Sequence, residues 1–218
     1  MVIGGILMRS AYAPEFSAKI THLINASRFR ESVHWKRVSG KKLDLYKRIL
    51  DVTSIEIQER RIDFGCIIFD QRKVNHKKHN DGDPEKGFFK FLYQHHLKWH
   101  RHYKPNGRFR CFHGNMSTKY DLVEMLRCLN NSVKSAPPTI YRPYLQFDFM
   151  PVNETRCLQV SDLLIGAVGF VANGGTVKHL GTPRHQIAEH VRQSFCLNDL
   201  AADTAWPDRG CHIWNFQL

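Results

Sequence analysis

Apolar residues follow two periods along the chain. Short runs rich in β-branched and aromatic residues predict strands, and longer stretches with apolar residues three or four positions apart predict helices. The predicted strands are Val2–Met8, Ile62–Phe69, Arg108–Phe112 and Tyr144–Met150. The predicted helices begin with one that opens at Pro14 and continue with Leu43–Glu59, Gly87–Tyr103, Lys119–Val133, Thr155–Val171 and Pro183–Phe195. Strands that alternate with helices predict an α/β fold in which helices flank a sheet.

The length of 218 residues suits one domain with a substantial core. We find no internal repeat and no long flexible linker, and therefore predict a single domain over residues 1–218. The polar segment Asn75–Lys86 is predicted to be an exposed loop. No apolar run approaches the roughly 20 residues that cross a bilayer, so we expect no membrane partner.

Cysteine usage and the first residues bear on location. Six cysteines are scattered without a Cys-x-x-Cys pair, which favours free thiols over a zinc knuckle or a disulfide framework. The apolar start of the chain lacks a basic region, so it predicts a strand better than a signal peptide. Together these features predict a cytoplasmic protein.

The formal net charge is +12, and the excess lies in the first half of the sequence. Residues 1–110 carry 23 Lys and Arg against 11 Asp and Glu, whereas residues 111–218 carry 9 against 9. This asymmetry favours a polyanionic partner, most simply RNA or DNA, over a basic face that only contacts solvent.

Asp162 is the sharpest candidate for chemistry. It lies in an apolar predicted helix, where Leu158, Ser161 and Ile165 share its side. A carboxylate in such surroundings needs a cation or hydrogen-bond donors to offset its desolvation. Asp162 is therefore either a metal ligand or a structural carboxylate that pairs with an Arg or caps a loop.

A basic stretch with one aromatic residue is the second candidate. Trp35 is followed by Lys36, Arg37, Lys41 and Lys42, which could bind phosphates while the indole stacks on a base. The alternative is that Trp35 anchors the core and the cations only contact water.

Histidines invite a rival metal hypothesis. His96 and His100 are four residues apart on a predicted helix, with His95 and His102 nearby. No Glu follows His96 in the zinc-protease pattern, so we expect this helix to be a solvated or nucleic-acid-facing surface rather than a zinc site.

Several segments, taken in order, resemble a known family. These are Ile3-Gly4-Gly5, Trp35–Ser39 with Leu45–Lys47, Ile67–Asp70, Gly87–Phe91, the more specific Asn153–Leu164, and the closing Ile213–Phe216. The chain resembles the domain-of-unknown-function 3800 family, which is similar to proteins of RNase H-like fold. The resemblance implies an RNase H-like mixed sheet with flanking helices, and a metal-dependent nuclease that acts on nucleic-acid phosphodiesters.

The resemblance implies a particular site. Asp162 and Glu31 are expected to hold Mg²⁺ or Mn²⁺ and to act in catalysis, because carboxylate oxygens suit these ions and such metals activate water. Gln159 and His34 are expected to be positioning residues. Trp35, Lys36, Arg37, Lys41 and Lys42 are expected to bind nucleic acid.

The chain also departs from the family's pattern. The family begins with a strand ending in Asp-Glu-Ser-Gly, which would precede Met1, and we expect this chain to be truncated at that point. Glu31 stands one position earlier than the family's Glu, and His113 or Asn115 stands in the region where the family often has an Asp. The site is therefore either active or degenerate. A non-catalytic nucleic-acid-binding or protein-interaction module is the alternative, and a toxin or phage-defence role is a third that fold alone cannot address.

Overall fold

The structure, a computed structural model, describes residues 1–29, 31–102, 107–133, 142–204 and 210–217. The chain divides into two compact units. Unit 1 comprises Met1–Gln71 and Asn153–Leu218, and unit 2 comprises Arg72–Val152. The single domain over residues 1–218 stays a prediction.

In chain order the elements are β1 (Val2–Met8), α1 (Ala13–Ala26), α2 (Leu43–Gln58), β2 (Ile62–Phe69), α3 (His76–His79), α4 (Pro84–His102), β3 (Phe109–Gly114), α5 (Leu122–Ser132), β4 (Tyr144–Met150), α6 (Arg156–Ala172), α7 (Gly175–Lys178), α8 (Pro183–Ser194) and β5 (Cys211–Phe216). Short 3₁₀ turns occupy Trp35–Arg37, Gly40–Lys42 and Gln71–Lys73. The mixed α/β class with flanking helices is confirmed. Most predicted bounds agree with the structure within two or three residues.

Unit 1 contains a three-stranded mixed sheet in the order β1-β2-β5. β1 pairs with β2 antiparallel, with Val2 opposite Ile68, and β5 pairs with β2 parallel, with Phe64 opposite Cys211. The sequence prediction left the tail after α8 without a strand, and that was wrong. The run is only six residues long, and it becomes a strand because β2 offers it a hydrogen-bonding edge.

The core of unit 1 combines aliphatic side chains with the buried rings of Phe16, Tyr46 and Phe64, and α6 contributes many of its members. This helix packs against β1, α1 and α8, and its Val160, Leu163, Leu164, Ala167 and Val168 side chains are fully buried. Each buried Val or Leu contributes about 1.5–3 kcal/mol relative to an exposed one. Neighbours on several sides explain why α6 is the most apolar helix of the chain.

Unit 2 contains a two-stranded parallel sheet of β3 and β4, and α5 packs against both β4 and α4. The expectation that the histidines of α4 face solvent or nucleic acid was wrong for His95 and His100, which are buried together with Trp99. The indole N–H of Trp99 donates to His95 Nε2 at 3.1 Å, so the imidazole is retained inside as a neutral acceptor.

The segment predicted as the exposed loop Asn75–Lys86 is also more ordered than expected. It contains the single turn α3 and the first residues of α4, and Asn80 within it is buried. The Asn80 amide lies 3.0 Å from His76 Nδ1, which gives this polar side chain a partner inside the fold.

Two further observations concern the state of the thiols and the length of the helices. Six cysteines are free, of which Cys66, Cys111 and Cys211 are buried, Cys157 is half-buried, and Cys128 and Cys196 are exposed. In the described part of the chain, no helix combines the length and the apolar character that crossing a membrane requires.

Candidate functional site

One face of α6 fixes the segment that carries the basic stretch. The backbone N–H of Val33 donates to Gln159 Oε1 at 3.2 Å, and that of Trp35 donates to Asp162 Oδ2 at 2.7 Å. Between them, the N–H of His34 donates to the hydroxyl of Tyr46 at 3.2 Å. Three successive N–H groups thus have side-chain acceptors, which orders a segment without regular structure.

Gln159 acts as a structural anchor in this arrangement. Its side chain is fully buried, its Nε2 donates to the carbonyl of Asn153 at 2.9 Å, and Arg156 donates to its Oε1 at 3.1 Å. These bonds place the amide against backbone on both sides. In this structure Gln159 therefore positions the backbone of its own chain.

Asp162 is held on one oxygen and open on the other. His34 Nδ1 lies 3.2 Å from Oδ2, the same oxygen that accepts from Trp35. Among the described residues, Oδ1 has no hydrogen-bond partner, and the side chain is 41% exposed. The carboxylate caps the 3₁₀ turn at Trp35 and still presents an acceptor to solvent, so both sequence hypotheses for it keep a physical basis.

Trp35 packs against α6 at Gly166. A Cβ placed on Gly166 would lie 2.2 Å from Trp35 Cγ, so only glycine permits this contact. The Trp35 and Phe170 rings are 5.9 Å apart in an edge-to-face arrangement. Trp35 is half-buried. Its indole therefore anchors the segment against α6, and one face of the ring remains accessible to a ligand.

A cavity of about 500 Å³ lies beside this ring. Trp35, Ile165 and Phe170 form apolar walls, and exposed polar side chains, Asn173, Lys178 and His179, lie at its margin. The cavity is open to solvent, and its aromatic wall and cationic rim could contact a ligand from one side. Sequence reasoning missed the cavity, although Gly166 and Gly169 lie on one side of α6 and Asn173 follows at the same helical spacing directly after the helix.

Glu31 contacts cations in this structure. Its Oε2 accepts from Lys42 Nζ at 2.6 Å and lies 3.7 Å from an Arg37 nitrogen. The hydrogen bond from Lys42 and its charge lower the pKa of Glu31. No contact joins Glu31 to Asp162 in the described part of the chain, so the two predicted ligands share no interaction here.

The predicted phosphate-binding residues divide into two groups. Lys42 is mostly covered and committed to Glu31, and Arg37 also donates to the Ser32 hydroxyl at 3.2 Å. Lys36 and Lys41 are exposed, and among the described residues neither side chain has an ion-pair partner. Arg184 donates to the Lys36 carbonyl at 3.1 Å, which adds a further cation from α8.

No group of three or more His, Cys, Asp or Glu side chains that could hold a metal ion occurs in residues 1–29, 31–102, 107–133, 142–204 and 210–217. His113, a sequence candidate for metal binding, contacts His96 instead, with 3.2 Å between their Nε2 atoms. Burial lowers the pKa of His113 to about 4, so a neutral imidazole pair explains the contact.

The distribution of charge changes once the units are known. Unit 2 carries 15 Lys and Arg against 6 Asp and Glu, a net charge of +9 in its 81 residues. Unit 1 carries 17 against 14, a net charge of +3. Asp162, Glu31 and the basic stretch after Trp35 lie in unit 1, whereas most of the excess charge lies in unit 2.

Comparisons with known proteins add no assignment. No protein-family model, no curated protein and no solved structure matches the chain.

Proposed function

We propose that this chain is a nucleic-acid-binding protein of RNase H-like fold, akin to the domain-of-unknown-function 3800 family, and that the α6 face of unit 1 contacts the nucleic acid. The observation that carries the proposal is the aromatic cavity beside the basic turn. Trp35 and Phe170 wall the cavity, and Lys178 lies at its margin.

The cavity supports the binding of a base. An aromatic wall can stack on any base, so this contact depends little on the sequence of the nucleic acid. A volume of about 500 Å³ accommodates a planar base with part of its sugar. Because Trp35 is fixed by Gly166 and by the bond from its own N–H to Asp162, its ring is ordered before a ligand arrives. Such preorganisation reduces the entropy that binding costs.

Exposed cations of the basic stretch that follows Trp35 support the binding of phosphates. Lys36 directly follows Trp35, and Lys41 lies in the next turn; neither side chain has a carboxylate partner among the described residues. Arg37 is half exposed. Lys42 contributes less to the proposal than the sequence indicated, because Glu31 already neutralises it.

Anisotropy measurements with labelled oligonucleotides test the binding proposal. We expect the full chain to bind single-stranded RNA or DNA of about 20 nucleotides, with affinity that falls steeply as salt rises. Lys178→Gln and Trp35→Leu should each weaken binding several-fold, while Trp35→Phe retains most of it. Arg48→Gln, which removes an exposed cation on α2 away from the cavity, is the matched control. Equal losses in Lys178→Gln and Arg48→Gln would contradict a localised site.

Metal-dependent hydrolysis is a second candidate function, and the open Oδ1 of Asp162 favours it. An exposed carboxylate oxygen on a rigid helix suits Mg²⁺ or Mn²⁺. Glu31 is the candidate second ligand, and it would have to exchange its bond with Lys42 for the metal. His34, which contacts Asp162 Oδ2, would orient the carboxylate.

Incubation of labelled RNA and DNA with the protein and Mn²⁺ tests hydrolysis. Cleavage by the wild type that is abolished in Asp162→Asn and in Glu31→Gln supports the metal site. Cleavage that survives Asp162→Asn excludes a catalytic role for this residue. Binding without cleavage in any arm assigns the chain to the non-catalytic alternative.

A further inference from the structure

The sheet of unit 2 exposes one of its faces. Cys111 and His113 of β3 lie on the side that contacts α4, and Phe112, which lies between them in sequence, points the other way. Phe112 is 41% exposed on that opposite side, and Asp148 of β4 stands directly across from it. Parallel sheets are ordinarily covered on both faces, so an exposed phenyl ring in this position indicates an interaction surface.

Arginines accompany this ring along the sheet. Arg110 precedes Phe112 by two residues on the same side of β3, and Gln146 is its partner across the sheet. Arg108 and Arg142 lie just before the two parallel strands, where Phe109 N–H donates to the carbonyl of Pro143. All three guanidinium groups are exposed, and none has an ion-pair partner among the described residues. Consecutive positions on one side of a strand are about 7 Å apart, so Arg110 and Phe112 are neighbours on this face. We call these two residues, together with Arg108 and Arg142 at the start of the sheet, the track.

The positive charge of unit 2 indicates which kind of partner binds this track. Unit 2 carries a net charge of +9, and Asp148, the carboxylate on this face, is already engaged with the amide of Gln146. A hydrophobic protein partner would not need three unpaired arginines beside one aromatic ring. A polyanion with flat apolar groups satisfies both features, and a single nucleic-acid strand has unstacked bases available for this contact.

We propose that the exposed face of the β3–β4 sheet binds single-stranded nucleic acid, with Phe112 stacking on a base and Arg108, Arg110 and Arg142 contacting phosphates. The proposal rests on the nucleic-acid-binding function above and adds a contact surface on unit 2. It assigns unit 2 to the unpaired strand, because the bases of a duplex are stacked on one another and unavailable to Phe112.

The test compares variants of the full chain for binding to a labelled oligothymidine of about 20 nucleotides and to a duplex of equal length. Phe112→Leu keeps an apolar side chain but removes the stacking ring, and we expect about fivefold or greater loss of affinity for the single strand. Phe112→Trp should retain the affinity. Val123→Ala, which trims an exposed aliphatic residue of α5, is the matched control and should bind as the wild type does.

Salt titration provides the second readout. Arg110→Gln should reduce the slope of log K against log salt by about 0.7, the value for one lost phosphate contact on a single strand. An unchanged slope, or Phe112→Leu binding equal to that of the wild type, overturns the proposal. So does sedimentation that finds a dimer dissociated by Phe112→Leu, since a second copy would then cover this face.

The variants separate this proposal from the function proposed for unit 1. Loss of affinity in Lys178→Gln with none in Phe112→Leu retains the α6 site and rejects the sheet face. The reverse pattern retains the sheet face and rejects the α6 site. A wild-type chain that binds neither oligonucleotide rejects both.

Discussion

Unit 1 and unit 2 each enclose a polar cluster, and the two clusters are compensated in different ways. In unit 1 the carboxylate of Glu56, which is 3% exposed, is compensated by Tyr12, Lys19 and Arg61. Unit 2 has aromatic rings around the neutral imidazoles of His95 and His96.

This difference between the two clusters determines how each of them responds to pH. A paired charge is stable over a wide pH range, whereas a buried neutral base is stable only while it stays unprotonated. The Glu56 cluster of unit 1 is therefore pH-tolerant, and the histidine cluster of unit 2, which comprises His95, His96 and His113, is pH-sensitive.

Acidification should produce the largest contrast between the units. Burial lowers the pKa of His95 to about 3 and that of His113 to about 4, both below the ordinary 6.5. Their contribution to stability is thus fully present above pH 6.5 and is lost as the pH falls toward 4. Hydrogen exchange measured between about pH 8 and about pH 4 should show α4 and β3 losing protection before α6, after correction for the intrinsic exchange rate. Simultaneous loss of protection in α4, β3 and α6 would contradict this difference between the units.

Removal of the buried carboxylate should have the next largest effect, in unit 1. Burial raises the pKa of Glu56, but the hydrogen bonds from Arg61, Tyr12 and Lys19 outweigh it and bring the pKa to about 2. Glu56→Ala leaves these partners without their acceptor, and we expect the free energy of unfolding to fall by about 3 kcal/mol in urea titrations. Glu15→Ala removes an exposed ion pair to the same Lys19 and should cost less than about 0.5 kcal/mol. Equal costs would contradict the importance of burial.

Two glycines on α6 should respond in opposite directions. Gly166→Ala places a Cβ 2.2 Å from the rigid indole of Trp35, and we expect a loss of about 1–3 kcal/mol. Gly169→Ala meets only Val2 at 3.6 Å, so the helical preference of alanine should stabilise the chain by up to about 1 kcal/mol. Thermal melts of the two variants measure the difference, and a stabilising Gly166→Ala would show that Trp35 does not need this contact.

Asp162 variants should give the smallest effect and sharpen the account of the α6 face. Asp162→Ala removes the acceptor of the Trp35 N–H and should cost about 1 kcal/mol, whereas Asp162→Asn retains a side-chain oxygen for that bond and should cost less. Exchange of the Trp35 amide should accelerate only in the alanine variant. Acceleration in both would mean that the charge, rather than the acceptor, orders the turn.

Much of the fold could be predicted because strong local patterns recorded it. The run Ile62–Phe69 and the spacing of apolar residues in Leu43–Gln58 each specify one element, and both agree with the structure closely. β5 could not be predicted, since a short strand acquires its hydrogen bonds only from a distant neighbour. The burial of His95 and His100 could not be predicted either, because imidazoles are compatible with both water and a neutral aromatic core.

The candidate site could likewise be predicted from the sequence only in part. The helix of Asp162, the basic stretch after Trp35 and the total charge of +12 follow from the sequence alone. The tertiary structure decided that Glu31 pairs with Lys42, that Trp35 packs on Gly166 beside a cavity, and that most of the excess charge lies in unit 2. The physical reason is range: periodicity and composition act over a few residues, whereas ion pairs and cavities join side chains that are distant along the chain.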